Sequence, residues 1–366
     1  MKGDIEMSRE TRAVDVGGVA IGGGAAVSVQ TMSNVEPHDA AAISAQIARC
    51  AALGCDLFRL TVPDLEAAKA LAAVRRASPI PLVADIHFDY RLALAAIEAG
   101  VDKLRINPGN IGSRERIQAV ARAAAARRVP IRIGVNLGSL ERDLAERLAA
   151  GPRSPQRIAE ALCDSALRHL ALLEAEGFRD VVISAKASNV ESTLATYRML
   201  AERTDCPLHI GVTEAGTFLP GTVRSSVALG ILLSEGIGDT LRVSLTDQPE
   251  KEVRVGMEIL RSLGKREAGP AVTSCPTCGR TKVDVVRVAG EVEEALEALY
   301  REGVIRPFPH VAVMGCAVNG PGEAKGADVA LCGGAGEFAL YVRGQFARKV
   351  PEAEALAAVL DAAKAL

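Results

Sequence analysis

Apolar and polar positions alternate in short runs along the first two thirds of the chain, and Ala-, Leu- and Arg-rich stretches separate the runs. The runs fall near residues 26–32, 57–62, 81–87, 103–108, 131–137, 180–187, 207–213 and 240–246. A period of two reads as strand, and the stretches between read as helix. Three helices carry both a start and a stop signal: Asp39 with Gly54, Asp89 with Gly100, and Ser154-Pro155 with Gly177. Eight such units in about 240 residues predict an α/β fold, a TIM (β/α)8 barrel, over residues 1–262. An open doubly wound sheet is the alternative, but no G-x-G-x-x-G follows a first strand and the strand count suits a closed ring. Residues 11–25 predict a Gly-rich hairpin that caps the barrel.

The rhythm breaks at residues 263–271, which read as a linker. The tail, 272–366, predicts a small α+β domain: strands at 282–288, 309–314, 328–332 and 338–343, helices at 291–302 and 351–365. The expected arrangement is an antiparallel sheet with helices on one face.

Splitting the barrel strands by their period of two gives an unusual interior. Phe58, Leu60, Leu104, Ile106, Ile131, Ile133, Ile183, Leu241 and Val243 take one side, which must face the helices. The other side carries Arg59, Asp85, His87, Arg105, Asn107, Arg132, Asn136, Lys186, His209, Thr213, Arg242 and Ser244. A barrel interior is ordinarily filled by branched aliphatics. Here it would hold five cations, Arg59, Arg105, Arg132, Lys186 and Arg242, with Asp85 and Glu214 able to offset only part of the charge. Internal ion pairing accounts for any one arginine. For the convergent set an anionic ligand fits better, because guanidinium forks and a lysine suit phosphate oxygens. A phosphorylated or diphosphorylated small molecule is therefore the expected ligand.

Composition narrows this little. The net charge of −2 over 366 residues gives no reason to expect nucleic acid or an anionic membrane surface. No apolar run is long enough to suggest a membrane span. The charged start, MKGDIEMSRETRAVDV, lacks a hydrophobic signal core, so a cytoplasmic location is expected. The eight cysteines do not form a secreted disulfide pattern, and Cys50, Cys55, Cys163 and Cys206 sit among apolar neighbours as core residues.

The remaining cysteines carry chemistry. Cys275-Pro276-Thr277-Cys278 is a close pair of thiols, and Cys316 stands in Met314-Gly315-Cys316-Ala317-Val318-Asn319-Gly320-Pro321-Gly322-Glu323. A pair plus a distant third suits a soft metal. A cubane cluster needs four ligands, and the nearest further donor is Glu323, a harder and more exchangeable ligand than a thiolate. A structural zinc site with Cys332 as fourth ligand is the rival reading.

Together, SCPTCGR and MGCAVNGPGEA resemble the 4-hydroxy-3-methylbut-2-enyl diphosphate synthase family. The resemblance extends over Val29–Asn34, Ala84–His87, Arg105–Asn110, Gly134–Asn136 and Gly211–Gly216. It implies a [4Fe-4S] cluster on Cys275, Cys278, Cys316 and Glu323. It also implies a barrel that binds 2-C-methyl-D-erythritol 2,4-cyclodiphosphate through Arg59, Arg105, Arg132, Asn136, Lys186, Arg242 and Ser244. Asp85, His87, Asn107, His209 and Thr213 complete the expected substrate contacts. Glu214 is the expected proton donor, and Asn319 the residue that orients the oxygen. The implied reaction is a reductive ring opening and dehydroxylation with electrons entering singly from flavodoxin or ferredoxin, since no nucleotide fingerprint is present. A short linker after the last barrel helix would leave the tail far from the barrel's carboxyl end. A head-to-tail homodimer, each cluster facing the partner's barrel, resolves this. Two other classes are an aldolase or isomerase using Lys186 as a Schiff-base nucleophile, and an iron–sulfur sensor without turnover.

Overall fold

The structure is a computed structural model that describes residues 9–266, 269–305, 310–316 and 320–366. It divides into two compact units, Met1–Arg266 and Glu267–Leu366.

In the first unit a hairpin of β1 (Val14–Val16) and β2 (Val19–Ile21) precedes eight parallel strands. These are β3 (Ser28–Met32), β4 (Leu57–Thr61), β5 (Leu82–Asp85), β6 (Lys103–Ile106), β7 (Ile131–Asn136), β8 (Val181–Lys186), β9 (His209–Ile210) and β10 (Thr240–Leu241). Their order is β8-β7-β6-β5-β4-β3-β10-β9. The ring closes where Ile183 of β8 bridges to Leu208 and its N–H donates to the Pro207 carbonyl at 2.9 Å. The sheet is thus the expected TIM barrel. The three start and stop pairs mark observed helices: Asp39 caps Ala40–Ala52, Asp89 caps Tyr90–Glu98 and Ser154 caps Pro155–Glu174. Gly54, Gly100 and Gly177 follow those helices at φ +94°, +88° and +74°, where a side chain would be strained.

The apolar side of each strand packs under the helices in one large core that includes Phe58, Leu104, Ile133, Ile183 and Leu241. The hairpin closes the amino-terminal end: Val14, Val16 and Ile21 pack on Leu57, Val83 and Val182, the first inward residues of their strands. That apolar plug leaves only the carboxyl end of the ring for polar side chains. β9 and β10 are shorter than the alternation suggests, because the chain leaves the ladder just beyond Ile210 and Leu241. Thr213, Arg242 and Ser244 therefore follow the strand ends at the mouth.

The second unit holds a five-stranded sheet of β11 (Ala271–Ser274), β12 (His310–Met314), β13 (Val329–Gly333), β14 (Glu337–Val342) and β15 (Gln345–Pro351), in that order. The sheet is mixed, not antiparallel as expected: β11, β12 and β13 run parallel and β13, β14 and β15 antiparallel. The expected strand at 282–288 is instead the start of the helix Val285–Arg301. Its valines imitate a strand, but Asp284 accepts from the Arg287 N–H, and Val285, Val288, Val292 and Leu296 form one buried helical stripe. β11 and β15 were not anticipated. This helix and Ala355–Lys364 cover one sheet face, through Val311, Val313, Val329 and Leu331. The other face is lined by Ala312, Met314, Ala330 and Cys332.

Candidate substrate and cluster sites

Asp85 is the hub of the barrel mouth. Its carboxylate is fully buried and lies 2.7 Å from Arg59 Nη2 on one neighbouring strand and 3.2 Å from Arg105 Nη1 on the other. The His87 Nε2–H donates to it at 3.0 Å, two residues along its own chain. Burial alone would raise this carboxyl, but Arg59, His87 and Arg105 outweigh burial and hold it far below the usual carboxylate range. Arg59 is pushed down to about 10, by burial first, with Arg105 and Arg242 adding to it and Asp85 opposing.

Arg105 reaches across β7. Its Nη2 donates to the Gly134 carbonyl at 3.1 Å, and any Cβ at Gly134 would overlap the guanidinium. Gly211 plays the same part for Lys186, whose Nζ would lie 2.7 Å from an added Cβ. Burial, and then Arg132 and Arg242, push Lys186 well below its ordinary value. Arg132 is almost wholly buried, and its Nε and Nη2 have no hydrogen-bond partner among the described residues.

The other expected contacts fall into two tiers. At the rim, Asn107 caps the helix Pro108–Ile111 by accepting from the Gly109 N–H at 3.1 Å. The Asn136 N–H donates to Ser139 Oγ at 3.2 Å, fixing the turn after β7. Thr213 is anchored by its N–H to the Ala187 carbonyl at 3.0 Å, and Ser244 is half-buried nearby in sequence to Arg242. His87 stands exposed at the rim. His209 is instead completely buried in the layer beneath, with its Nε2 unpartnered and Tyr197 donating to its carbonyl at 2.7 Å.

Two residues of this interior escaped the sequence argument. Lys103, on the same side of β6 as Arg105, is fully buried. Glu252, in the first turn of the helix Pro249–Ser262, sends its carboxylate inward. It accepts from Thr31 Oγ1 at 2.6 Å, the Leu245 N–H at 2.9 Å, and Arg242 Nε and Nη2 at 3.3 Å each. Glu252, not Glu214, is the second counter-charge. Glu214 is exposed and forms no ion pair with these cations among the described residues, and its backbone takes φ +53°, a left-handed conformation costly for a side chain with a Cβ. The alternation placed Lys103 inside for any reader who extended it by one step. Glu252 had no such signal, since an acidic residue in a first helical turn ordinarily faces solvent.

In the second unit, Cys275, Cys278 and Cys316 line one pocket of about 210 Å³ with Pro276, Arg280, Met314, Gly315 and Gly320. At roughly 30 Å³ per water this is far more room than one metal ion takes. The Gly315 N–H donates to Cys275 Sγ at 3.1 Å. The backbone N–H of Arg280, with the Thr281 hydroxyl, holds the exposed Cys278 thiol below its ordinary range, toward the thiolate that a metal binds. Cys332 is buried in the small-residue face, where burial and Cys316 push its thiol up to about 11, and it does not line the pocket. That disfavours it as a fourth ligand. Among the described residues no three His, Cys, Asp or Glu side chains converge closely enough for a single metal ion. Asn319 lies outside the described residues. Glu323 ends the helix Gly320–Glu323, and its side chain falls outside what is described.

No helix among the described residues is long and apolar enough to cross a membrane. Among solved structures, dihydropteroate synthase from Xanthomonas albilineans is 19% identical, with a TM-score of 0.49 over 70% of this chain and 99% of that chain. Curated relatives are far nearer. A protein of Geobacter sulfurreducens named 4-hydroxy-3-methylbut-2-en-1-yl diphosphate synthase (flavodoxin) is 53% identical over 95% of each chain. One of Maridesulfovibrio salexigens with the same name is 53% identical over 93% of this chain and 92% of its own. Family models for the GcpE TIM-barrel domain and the GcpE protein C-terminal domain match residues 11–257 and 271–365. With both units matched and relatives more than half identical, this chain belongs to the GcpE family.

Proposed function

We infer that the chain is a 4-hydroxy-3-methylbut-2-en-1-yl diphosphate synthase that takes electrons from flavodoxin. It reductively opens 2-C-methyl-D-erythritol 2,4-cyclodiphosphate and removes a hydroxyl. The observation that carries this reading is the charge inside the barrel. Arg59, Lys103, Arg105, Arg132, Lys186 and Arg242 turn inward, against the two carboxylates Asp85 and Glu252. A diphosphate supplies much of the missing negative charge, and its non-bridging oxygens suit the forks of Arg59, Arg105 and Arg242.

The chain's own residues then divide the work. Asp85 and Glu252 hold the arginines in place before substrate arrives, so little reorganisation accompanies binding. Asn107, Asn136, Thr213 and Ser244 at the rim offer hydrogen bonds to the substrate hydroxyls. Glu214, on its left-handed turn, presents a solvent-accessible carboxyl able to deliver a proton to the departing oxygen. Cys275, Cys278 and Cys316 would hold a [4Fe-4S] cluster, with Glu323 as the exchangeable fourth ligand and Asn319 as the residue that orients the oxygen. When bound, such a cluster supplies single electrons and a Lewis-acidic iron.

A homodimer in which each cluster unit serves the partner's barrel fits this division. An exposed apolar stripe supports self-association: Leu219, Val223, Val227 and Ile231 recur every fourth residue on the outer face of Phe218–Ser234. The lowered Lys186 would also suit an amine nucleophile, and failure of borohydride to trap a lysine adduct would remove that reading.

The deciding experiment is an anaerobic assay of purified protein with the cyclic diphosphate and a one-electron reductant. Formation of the allylic diphosphate, lost in Arg105→Ala while iron and sulfide are retained, supports the assignment. Absence of product with a loaded cluster sinks it.

A further inference from the structure

Lys103 adds to the inward charge but is given no contact of its own above, and it is among the most deeply buried cations of the described residues. Its side chain is 0% exposed and its Nζ has no hydrogen-bond partner among the described residues. It occupies the layer between the apolar plug and the mouth, in register with Val83 of β5. The groups that face it are Arg59 from β4, Arg132 from β7 and His209 from β9, with Arg105 two residues along its own strand. Asp85, on β5, is already committed to Arg59, Arg105 and His87, and Glu252 to Arg242 and Thr31.

The arginines cannot shed their charge, because a guanidinium keeps its proton at any ordinary pH. An amine can. Relief of the crowded positive field must therefore come from a lysine, and Lys103 is the one sealed from water with no carboxylate of its own. Burial, then Arg132, then Arg59, push it well below its ordinary value. When an anion enters the mouth, it offsets part of the positive field at Lys103, and the balance shifts toward the ammonium form.

We propose that Lys103 is a positioning residue that acts as a charge buffer: neutral in the empty barrel, it takes up a proton from solvent when a doubly charged anion binds above it. Counting the six inward cations against Asp85, Glu252 and the anion, the excess positive charge then changes little between the empty and the loaded barrel. Six fixed charges would strain the empty fold, whereas a barrel with one cation fewer would hold the anion less tightly. The ligand is any small anion whose own charge is constant near neutral pH, which includes the cyclic diphosphate assumed above and inorganic sulfate. In this respect the proposal rests on the mouth being an anion site.

Calorimetric titration of the full chain in two buffers of different ionisation enthalpy counts the protons exchanged. The expected result is uptake of about one proton per anion bound in the wild type, and clearly less in Lys103→Met. Uptake of none by the wild type, or equal uptake by Lys103→Met, overturns the proposal. Running sulfate beside the cyclic diphosphate separates the two ideas: sulfate binding with proton uptake, without cyclic diphosphate binding, defeats the substrate assignment and leaves Lys103 supported. Binding of neither defeats both. Carbon-13 NMR of labelled lysine side chains in the wild type needs no variant to fold. At least one lysine resonance should sit at the neutral-amine position in the free protein and move to the ammonium position with anion, and the absence of any such resonance refutes the idea independently.

Discussion

The guanidinium of Arg105 lies in the space that a side chain on Gly134 would fill, with its Nη2 bonded to the Gly134 carbonyl at 3.1 Å. Gly134→Ala should therefore displace Arg105 from Asp85 while the rest of β7 stays in place. Affinity for the cyclic diphosphate should fall by about tenfold or more, the loss of one charge-assisted bond, while the far-UV circular dichroism is unchanged. Calorimetry on the purified variant checks this.

Asp85 answers two arginines from two strands, so its removal exposes both. Asp85→Asn should cost about 3–5 kcal/mol of stability in urea unfolding, the range for breaking a buried ion pair. The pH dependence has a definite sign. The folded carboxyl is depressed, so its stabilising contribution is present above the ordinary carboxyl range. It fades as pH falls below about 3.9 toward the folded value. Asp85→Asn should thus flatten the acid limb of stability against pH.

Lys103 has the opposite consequence. Its folded amine is lowered, so below the ordinary lysine value of about 10.4 the unfolded chain binds a proton that the folded chain does not. Stability then rises with pH through that window. Lys103→Met should stabilise the unliganded protein at neutral pH, and the gain should shrink as pH approaches the ordinary lysine value. Urea midpoints measured at about pH 7 and about pH 9.5 read this directly.

Glu252 orients Arg242 through two bonds and is itself tied to Thr31 and the Leu245 N–H. Glu252→Gln keeps the shape and removes the charge. KM for the cyclic diphosphate should rise several-fold with a smaller change in kcat, a pattern expected where ground-state binding is lost. A merely structural defect would instead lower the active fraction without moving KM.

Cys278→Ser should lose most iron and sulfide from anaerobically prepared protein, since its thiol lines the pocket and is held toward the thiolate. Cys163→Ala should retain both, because Cys163 is buried in the barrel unit, where burial pushes its thiol up to about 11. Elemental analysis with a sulfide assay decides.

The amino-acid order by itself determined the barrel and most of its cationic lining. Strand alternation has a period of two, so once the apolar side is assigned to the helices, Arg59, Arg105 and Arg132 have nowhere to go but inward. The spacing of Cys275, Cys278 and Cys316 likewise marked out three thiols that the fold brings to the lining of one pocket. Only the tertiary structure decided what balances those charges. Glu252 comes from the surface-like first turn of a helix, and Gly134 and Gly211 matter through the side chains that cross them, relations between elements that no local pattern encodes. The same holds for β11 and β15, whose place in the second sheet depends on partners elsewhere in the chain, and for His209. Its residue type fitted the rim as well as the interior, and only its depth in the ring put it beneath the mouth.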